Sequence, residues 1–312
     1  MGKLKVLVTG AGGFIGTKVV QELWKRDFEV VYFDVIEPKI EGIKRVNRGT
    51  ILDQYDLALA VKGCDYAIHL AALLGVQKTD NNRLETLHVN IKGTLNFIEA
   101  CVKGGVKKII FSSSSEVYGE QSILPITEEN PLNPKSVYAV SKIVGEQYFQ
   151  AYSELYGIEY NVIRFFNVYG EYQREDFVLP RFVQRVTNDE PPTIYGDGEQ
   201  VRSFCYVEDA VRGLVDALLA KECGEIFNIG NNREPISMKD LANKVIKLSG
   251  KSITPQFVNY EQSDRKSSRE IEKRIPSIEK AKKVLGYEPE YSLEQGLKRM
   301  LEFYKNNKKN LK

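Results

Sequence analysis

Short apolar runs alternate with longer amphipathic segments through the first half of the chain. Runs rich in Val, Ile, Tyr and Phe predict buried strands at residues 3–9, 29–34, 66–70, 107–112 and 159–165. Apolar positions with helical spacing predict amphipathic helices at residues 14–26, 82–104 and 136–156. This alternation predicts an α/β fold in which a doubly wound parallel sheet carries helices on both faces. Ligands of such sheets bind at the carboxyl ends of the strands.

The regular pattern ends near Gly170. Residues 172–176 are polar, and turn signals follow at residues 189–192 and 196–198. Short strands and helices then alternate irregularly to the end of the chain. We therefore predict a first domain at residues 1–169 and a smaller mixed α/β C-terminal lobe, mainly for substrate, at residues 170–312.

Composition narrows the class of protein. The 312 residues include 44 basic and 42 acidic side chains, for a net charge of +2, so no large field favours nucleic acid or a membrane. No apolar stretch approaches the length of a membrane span. The four cysteines lack CxxC spacing, which predicts no metal site and fits a reducing cytoplasm.

A glycine-rich turn follows the first predicted strand and opens the first helix. Gly10, Gly13 and Gly16 allow the backbone to approach a pyrophosphate closely, and Phe14 and Ile15 begin the helix whose N–H groups face the phosphates. In this strand–turn–helix context the pattern indicates a Rossmann-type dinucleotide site. A tight turn without a ligand is the alternative reading.

Asp34 ends the second predicted strand, eighteen residues after Gly16. A carboxylate at this place can accept hydrogen bonds from the ribose hydroxyls of the adenosine half of the cofactor, and it would repel a 2′-phosphate. The next residues, Val35 and Ile36, supply no cation. NAD is therefore predicted in preference to NADP.

Tyr138 and Lys142 lie four residues apart on a predicted helix and so share one face. A nearby ammonium favours the phenolate of a tyrosine, which can then remove a proton from a sugar hydroxyl as a general base. The serine run at residues 112–115 follows a predicted strand and reaches the same edge of the sheet, where one serine can stabilise the charge that develops. A serine-rich turn is the alternative for that run.

Several motifs recur in one order along nearly the whole chain. They are Gly10-x-x-Gly13-x-x-Gly16, His69-Leu-Ala-Ala72, Asn90-Ile-Lys-Gly-Thr94, Ser113-Ser-Ser-Glu-Val-Tyr-Gly119, Tyr138-Ala-Val-Ser-Lys142, Arg164-Phe-Phe-Asn-Val-Tyr-Gly170 and the stretch from Gly196 to Asp209. Together they resemble the extended short-chain dehydrogenase/reductase family, in its NAD-dependent nucleotide-sugar epimerase and dehydratase branch.

The resemblance implies roles for individual residues. Ser114 would assist Tyr138 as the catalytic base, and Lys142 would bind the cofactor together with Tyr138. The remaining cofactor contacts would be Leu70, Ala71, Ala72 and Asn90. Substrate contacts would come from Ser114, Ser115, Asn167, Val178, Leu179, Tyr195, Arg202 and Arg269. The alternatives are a buried Asn167 that caps a turn and an ordinary surface Arg202.

The resemblance also implies the reaction, which begins with oxidation of a sugar carbon, usually C4. A 4,6-dehydratase usually has Asp-Glu where this chain has Ser115-Glu116, so dehydration is disfavoured. We expect a UDP-sugar 4-epimerase that acts through a transient 4-keto intermediate. Glu116, as a candidate catalytic acid or base, leaves a UDP-glucuronate decarboxylase as the second hypothesis. A non-catalytic NAD-binding regulatory protein is the third.

Two departures from the family pattern concern the ligands. Thr50 stands where an adenine-binding Asp is common, with Asp53 nearby. The late arginine of the diphosphate site has three candidates, Arg265, Arg269 and Arg274, of which we select Arg269.

The family also pairs through its two long helices, so residues 82–104 and 136–156 are expected to form a homodimer interface.

Overall fold

The computed structural model of the protein describes residues 2–37, 42–43, 45–75, 79, 81–259 and 270–307. Its strands are β1 (Lys5–Thr9), β2 (Glu29–Asp34), β3 (Arg45–Arg48), β4 (Tyr66–His69), β5 (Lys108–Ser114), β6 (Glu159–Phe165), β7 (Val168–Tyr169), β8 (Thr193–Tyr195), β9 (Val201–Arg202), β10 (Cys205–Tyr206), β11 (Glu225–Ile229), β12 (Ile236–Ser237), β13 (Gln256–Val258) and β14 (Lys273–Arg274). Within the described ranges, seven of them form one sheet in the order β11-β6-β5-β4-β1-β2-β3. All neighbours in this sheet are parallel, as predicted.

Helices cover both faces of the sheet. They are α1 (Phe14–Lys25), α2 (Gln54–Val61), α3 (Arg83–Leu87), a π-helical turn (His88–Lys92), α4 (Gly93–Lys103), α5 (Val137–Tyr156), α6 (Val178–Thr187), α7 (Val207–Leu219), α8 (Met238–Ser249), α9 (Glu279–Leu285) and α10 (Leu293–Asn306). The single helix predicted over residues 82–104 is thus interrupted by a π-helical turn in its middle.

The central strand β1 shows why the sheet needs two layers of helices. Val6 and Val8 point into the hydrophobic core on one face, whereas Leu7 points into the core on the other, and all three are fully buried. Successive side chains of a strand alternate between faces, so a strand that is apolar throughout must be covered on both sides. The apolar runs of the sequence therefore form the buried centre of the fold.

Beyond β7 the chain builds small sheets and then returns to the large one. The pairs β7–β10 and β8–β13 and the group β12-β9-β14 lie outside the seven-stranded sheet. Strand β11 joins the edge of the large sheet beside β6, and α7 packs against α1. The later residues therefore contribute both to the smaller lobe and to the main sheet, and the boundary at residues 169/170 stays a prediction.

The parallel sheet brings five loops to one edge. The carboxyl ends of β1, β2, β4, β5 and β6 lead to Gly10, Asp34, Leu70, Ser114 and Asn167 respectively. Parallel strands that are neighbours present these ends on the same side. Residues that are far apart in the sequence therefore meet at this edge, which forms the candidate active site.

Candidate active site

The glycine-rich turn leaves no room for side chains. Gly10 has a φ of +70°, and a Cβ atom at this position would lie 2.7 Å from the backbone nitrogen of Ala71. A Cβ atom at Gly16 would lie 2.0 Å from the carbonyl oxygen of Gly10. The glycines therefore allow the turn to pack against both the following loop and its own helix.

The turn places the N-terminus of α1 at the edge of the sheet. Gly13 is the N-cap, no side chain caps this helix end, and no acidic residue occupies its first turn. Phe14 and Ile15, the first two helical residues, are partly buried against the main core. An uncapped helix N-terminus offers N–H donors and the positive end of the helix dipole, as a pyrophosphate requires.

Asp34 lies at the end of β2, directly beside this turn. One of its carboxylate oxygens accepts a hydrogen bond from the Gly12 N–H at 2.9 Å, and the other accepts one from the Ile36 N–H at 3.2 Å. Each carboxylate oxygen can accept more than one hydrogen bond. Asp34 therefore both holds the turn in place and retains acceptor capacity for the two hydroxyls of a ribose.

The loop after β4 forms the next wall of the cofactor cradle. The Leu70 N–H donates to the Thr9 carbonyl, and Leu70, Ala71 and Ala72 are partly exposed. Asn90, which lies in the π-helical turn, pins the end of this loop: its side chain accepts from the Leu73 N–H at 2.8 Å and donates to the Leu73 carbonyl at 3.0 Å. Its amide also donates to the Ser141 hydroxyl at 3.1 Å. Asn90 thus connects the loop to α5.

Helix α5 presents Tyr138 and Lys142 to this cradle. The helix starts at Ser136, whose hydroxyl accepts a hydrogen bond from the Ala139 N–H at 3.1 Å. This N-cap places Tyr138 in the first turn and Lys142 one turn later. The Lys142 ammonium lies 5.6 Å from the centre of the Tyr138 ring and donates to the Ser112 carbonyl at 2.7 Å.

Ser114 completes the predicted catalytic group. It is the last residue of β5, and its hydroxyl hydrogen-bonds to the Tyr138 side chain. The same oxygen accepts the Glu116 N–H at 3.2 Å as the cap of a 3₁₀ turn at Ser115–Tyr118. The structure therefore brings Ser114, Tyr138 and Lys142 together, although Ser114 and Lys142 are 28 positions apart in the chain.

Burial controls the charge of this group. Desolvation raises the pKa of Tyr138, the nearby Glu116 charge raises it further, and the hydrogen bond with Ser114 lowers it. Desolvation lowers the pKa of Lys142 to about 7, against an opposing effect of Glu146. A group with these properties needs an additional positive charge to form a phenolate, and the nicotinamide ring of NAD⁺ carries one.

Ser115 and Glu116 follow Ser114 in the chain. The Glu116 carboxylate accepts a hydrogen bond from the Ser136 hydroxyl at 3.1 Å, and it lies close enough to Tyr138 to affect its pKa. Ser115 is buried. The Glu116 carboxylate therefore lies beside the predicted reacting group. The decarboxylase hypothesis requires a carboxylate in this position, and the position is also compatible with a structural role.

Five of the predicted substrate residues, Asn167, Val178, Leu179, Tyr195 and Arg202, belong to the chain beyond β6. Asn167 has a φ of +39°, and its side chain donates to the Ser203 carbonyl at 2.9 Å. Arg202 forms an ion pair with Glu270 at 3.0 Å. Val178 and Leu179 begin α6, an N-terminus without a side-chain cap, and Leu179 is buried whereas Val178 is partly exposed. The Tyr195 ring lies under the Arg181 guanidinium at 5.1 Å.

Arg269, the candidate for the late arginine that the sequence analysis selects, lies outside the described residues and stays a prediction. Arg274, in contrast, is on β14 directly opposite Arg202 of β9, and it lies within electrostatic reach of Glu116, Glu120 and Glu270. Burial lowers the pKa of its guanidinium. Spacing alone did not single out Arg274, because its position depends on the pairing of two two-residue strands.

Two buried polar atoms beside this strand pair lack a hydrogen-bond partner among the described residues. They are the Nε of Arg274 and the hydroxyl of Ser203. The Ser203 N–H donates to the Arg274 carbonyl, so both groups belong to one patch. Buried polar groups are normally hydrogen-bonded, and such exceptions are common where a ligand binds. This patch was not predicted from the sequence.

Two other residues named in the sequence analysis have mainly structural surroundings. His69 is buried, stacks on Phe97 with ring centres 4.3 Å apart, and hydrogen-bonds to Thr9 and Thr94, so it is packed in the core. Asp53 caps α2 by accepting the Tyr55 and Asp56 N–H groups.

Among the described residues, no cluster of three or more His, Cys, Asp and Glu side chains is arranged to hold a metal ion. None of the described helices combines the length and apolar character needed to cross a bilayer.

Comparison with known proteins agrees with this geometry. A model of the NAD dependent epimerase/dehydratase family matches residues 6–230. A putative UDP-glucose 4-epimerase of Methanocaldococcus jannaschii is 35% identical, over 97% of this chain and 99% of the relative. A UDP-N-acetyl-alpha-D-glucosaminuronate decarboxylase of Bacillus cytotoxicus is 33% identical, over 97% and 98%.

A solved structure extends the comparison to the cofactor. It is a mutant UDP-glucuronic acid 4-epimerase of Bacillus cereus in complex with UDP-4-deoxy-4-fluoro-glucuronic acid and NAD. This chain superimposes on it with a TM-score of 0.89 and 34% identity, and the match covers 97% of this chain and 99% of the other. The turn, Asp34 and the Tyr138–Lys142 pair fit the same cofactor. The chain therefore belongs to the NAD-dependent epimerase/dehydratase family, the nucleotide-sugar branch of the extended short-chain dehydrogenases/reductases, and its cofactor is NAD.

Proposed function

We propose that the protein interconverts the two C4 epimers of a UDP-sugar through a transient 4-keto intermediate. The observation that carries this proposal is the meeting of Ser114, Tyr138 and Lys142 at the edge of the sheet where the glycine-rich turn also lies. Family membership supports an enzyme, which leaves the hypothesis of a non-catalytic NAD-binding protein without support.

Tyr138 acts as the base. Its phenolate takes the proton of the C4 hydroxyl, and the bond between C4 and oxygen gains double-bond character as the hydride leaves. When bound, NAD would supply the hydride acceptor for this step and the hydride donor for the return to the opposite face of the sugar. The Ser114 hydroxyl, which hydrogen-bonds to Tyr138, stabilises the oxygen charge while the proton moves. In the return step Tyr138 gives the proton back.

Lys142 supplies the charge that the base requires. Its ammonium is buried beside the Tyr138 ring, so its field is weakly screened. The hydrogen bond to the Ser112 carbonyl fixes its position. We infer that the ammonium favours the phenolate over the neutral phenol and donates to the nicotinamide ribose.

The wall beyond β6 would bind the nucleotide part of the substrate. Arg202 and Arg274 face each other on paired strands, and Arg274 has a donor without a partner among the described residues. Guanidinium groups suit phosphate oxygens because they are permanently charged and donate in a fixed geometry. Asn167 supplies a further amide at the same wall, and Val178 begins an uncapped helix there. Arg202 would exchange its Glu270 partner for, or share it with, the diphosphate.

The position of Glu116 is the observation that supports the decarboxylase hypothesis. The charge of its carboxylate affects the pKa of both Tyr138 and Arg274, so Glu116 lies near both side chains. Decarboxylation would need a proton relay in this place. The hydrogen bond from Ser136, however, gives Glu116 a structural partner in the same position. Epimerisation needs only the three residues at the reacting carbon, so we prefer it.

The test is incubation of the purified protein with UDP-glucose, UDP-galactose and UDP-glucuronate, followed by NMR of the products. We expect the C4 epimer of at least one substrate, with a deuterium label at C4 retained in the product. Release of CO₂ from UDP-glucuronate would instead support the decarboxylase. Absence of turnover with every UDP-sugar, while the protein holds NAD, would overturn both.

We also propose a cytoplasmic homodimer. Large apolar side chains are exposed on the two helical segments that the resemblance assigns to the interface: Leu84 on α3 is 84% exposed and Leu155 on α5 is 72% exposed. Two such helices from each copy would bury these side chains. Light scattering should therefore give about twice the 35.5 kDa of one chain; a value for one chain would overturn the dimer.

A further inference from the structure

A buried ion pair lies next to the catalytic lysine. Arg164 of β6 and Glu146 of α5 form two hydrogen bonds, at 3.0 Å and 2.6 Å, and their side chains are only 3% and 4% exposed. Tyr118 extends the pair, because its hydroxyl accepts from Arg164 at 2.9 Å and donates to Asn228 of β11 at 2.7 Å. The network therefore ties α5 to two strands of the main sheet, β6 and β11.

The carboxylate of this pair is one helical turn beyond Lys142. Residues four apart on a helix share a face, so Glu146 and Lys142 both point toward the sheet. The Ser113 hydroxyl donates to Glu146, and the adjacent Ser112 carbonyl accepts from Lys142. Neighbouring residues of β5 thus hold the lysine and the glutamate in fixed relative positions.

Stability alone does not explain this arrangement. Burying two charges costs about as much as their attraction returns, and apolar side chains of similar volume can be equally stabilising in such a place. A network that connects α5, β5 and β6 at the catalytic lysine is therefore better explained by what it does to that lysine.

We propose that Glu146 is a positioning residue that keeps the Lys142 side chain in its ammonium form at the active site, while Arg164 holds the carboxylate in place and limits its effect. This inference rests on the proposed role of Lys142. Neither Glu146 nor Arg164 was among the functional residues expected from the sequence.

The groups around Lys142 agree with this role. On its own helix they are Tyr138 and Glu146. Strand β5 contributes the Phe111 ring at 5.0 Å and the Ser112 carbonyl, and β4 contributes His69, whose pKa burial keeps well below its usual value. Glu146 is therefore the carboxylate that affects the charge of Lys142 directly.

The sign of the effect follows from these surroundings. Burial lowers the pKa of Lys142 to about 7, and Glu146 opposes this by favouring the ammonium. If Glu146 loses its charge, the pKa of Lys142 falls further, and the ammonium disappears at a lower pH. Turnover requires the ammonium, so the alkaline limb of the pH profile of kcat should move toward lower pH.

The test is the pH profile of Glu146→Gln for the NAD-loaded enzyme with its UDP-sugar. We expect the alkaline limb to move by about one pH unit to lower pH. The kcat would then be about 10-fold below wild type above the limb, with a loss under about 3-fold at low pH. Arg164→Lys is the comparison variant, since it keeps every charge but loses the double hydrogen bond that holds the Glu146 carboxylate, and its limb should move clearly less than that of Glu146→Gln.

A second variant covers the case in which Glu146→Gln does not fold. Glu146→Asp keeps the charge but retracts the carboxylate, and its limb should move in the same direction by a smaller amount. Equal limbs for wild type and a folded Glu146 variant, or an equal shift in Arg164→Lys, would overturn the proposal. If Lys142→Met retained full turnover, the proposed function of Lys142 would fail instead, which separates the two results.

Discussion

The cofactor side and the substrate side of the cleft are built in different ways. The cofactor side begins with one turn, one helix N-terminus and one carboxylate, all within residues 10–34. The proposed substrate side takes Arg202 and Arg274 from two short paired strands and Asn167 from the bend between β6 and β7, so the pairing of distant segments decides where the side chains lie. The first kind of site is a local backbone structure, whereas the second is an assembly of distant side chains.

This difference explains why the two sides should respond differently to substitution. Changes on the cofactor side should affect binding of NAD, and changes on the substrate side should affect KM for the UDP-sugar. Changes between them, at the reacting group, should affect kcat. Four substitutions test this separation, beginning with the one of largest expected effect.

Tyr138→Phe removes the proposed base and leaves the ring in place. We expect kcat to fall by about 10³-fold, because general base catalysis is lost, while NAD stays bound. Turnover assays and the NAD content of the purified variant measure the two effects. Tyr148→Phe, on the same helix, is the control and should keep wild-type turnover. Full activity of Tyr138→Phe would refute the mechanism.

Gly16→Ala places a Cβ atom 2.0 Å from the Gly10 carbonyl oxygen. The turn must shift to relieve this contact, so we expect NAD affinity to fall by about 100-fold. Gly13→Ala is a graded control, because the nearest contact of its Cβ atom is 3.2 Å, and its loss should be clearly smaller. Titration of apo-protein with NAD distinguishes the two. Equal losses would contradict the geometry of the turn.

Arg274→Gln removes a guanidinium from the wall opposite Arg202. We expect KM for the UDP-sugar to rise by about 10- to 30-fold with little change in kcat or in NAD affinity, since a charged hydrogen bond to phosphate is lost. The exposed neighbour Lys273 provides the control, and Lys273→Gln should behave as wild type. An unchanged KM for Arg274→Gln would remove Arg274 from the substrate site.

Asp34→Asn keeps the shape of the side chain but removes its charge. We expect NAD affinity to fall by about 10-fold, and the preference for NAD over NADP to shrink because the repulsion of the 2′-phosphate is weaker. Parallel titrations with the two cofactors measure this ratio. Glu37→Gln is the control, as Glu37 is an exposed acidic residue three positions away. A ratio unchanged from wild type would show that Asp34 only holds the turn.

The fold was largely predictable because its strands are buried on both faces. Continuous apolar runs mark such strands, and the five predicted ones correspond to strands of the main sheet. The π-helical turn at His88–Lys92 was not predictable, since its residues fit the same helical pattern as their neighbours. Yet this turn contains Asn90, whose side chain hydrogen-bonds to Leu73 and Ser141. These bonds form only because the fold packs the turn against α5 and the loop after β4.

The sequence by itself determined the glycine-rich turn, Asp34 and the Tyr138–Lys142 pair. Backbone conformation and helical spacing act over a few residues, so their consequences are visible in a linear pattern. Only the tertiary structure decided that Ser114 reaches Tyr138, that Arg274 faces Arg202, and that Glu146 and Arg164 lie beside Lys142. These contacts depend on which strands are neighbours and on what is excluded from water, and neither property belongs to any single segment.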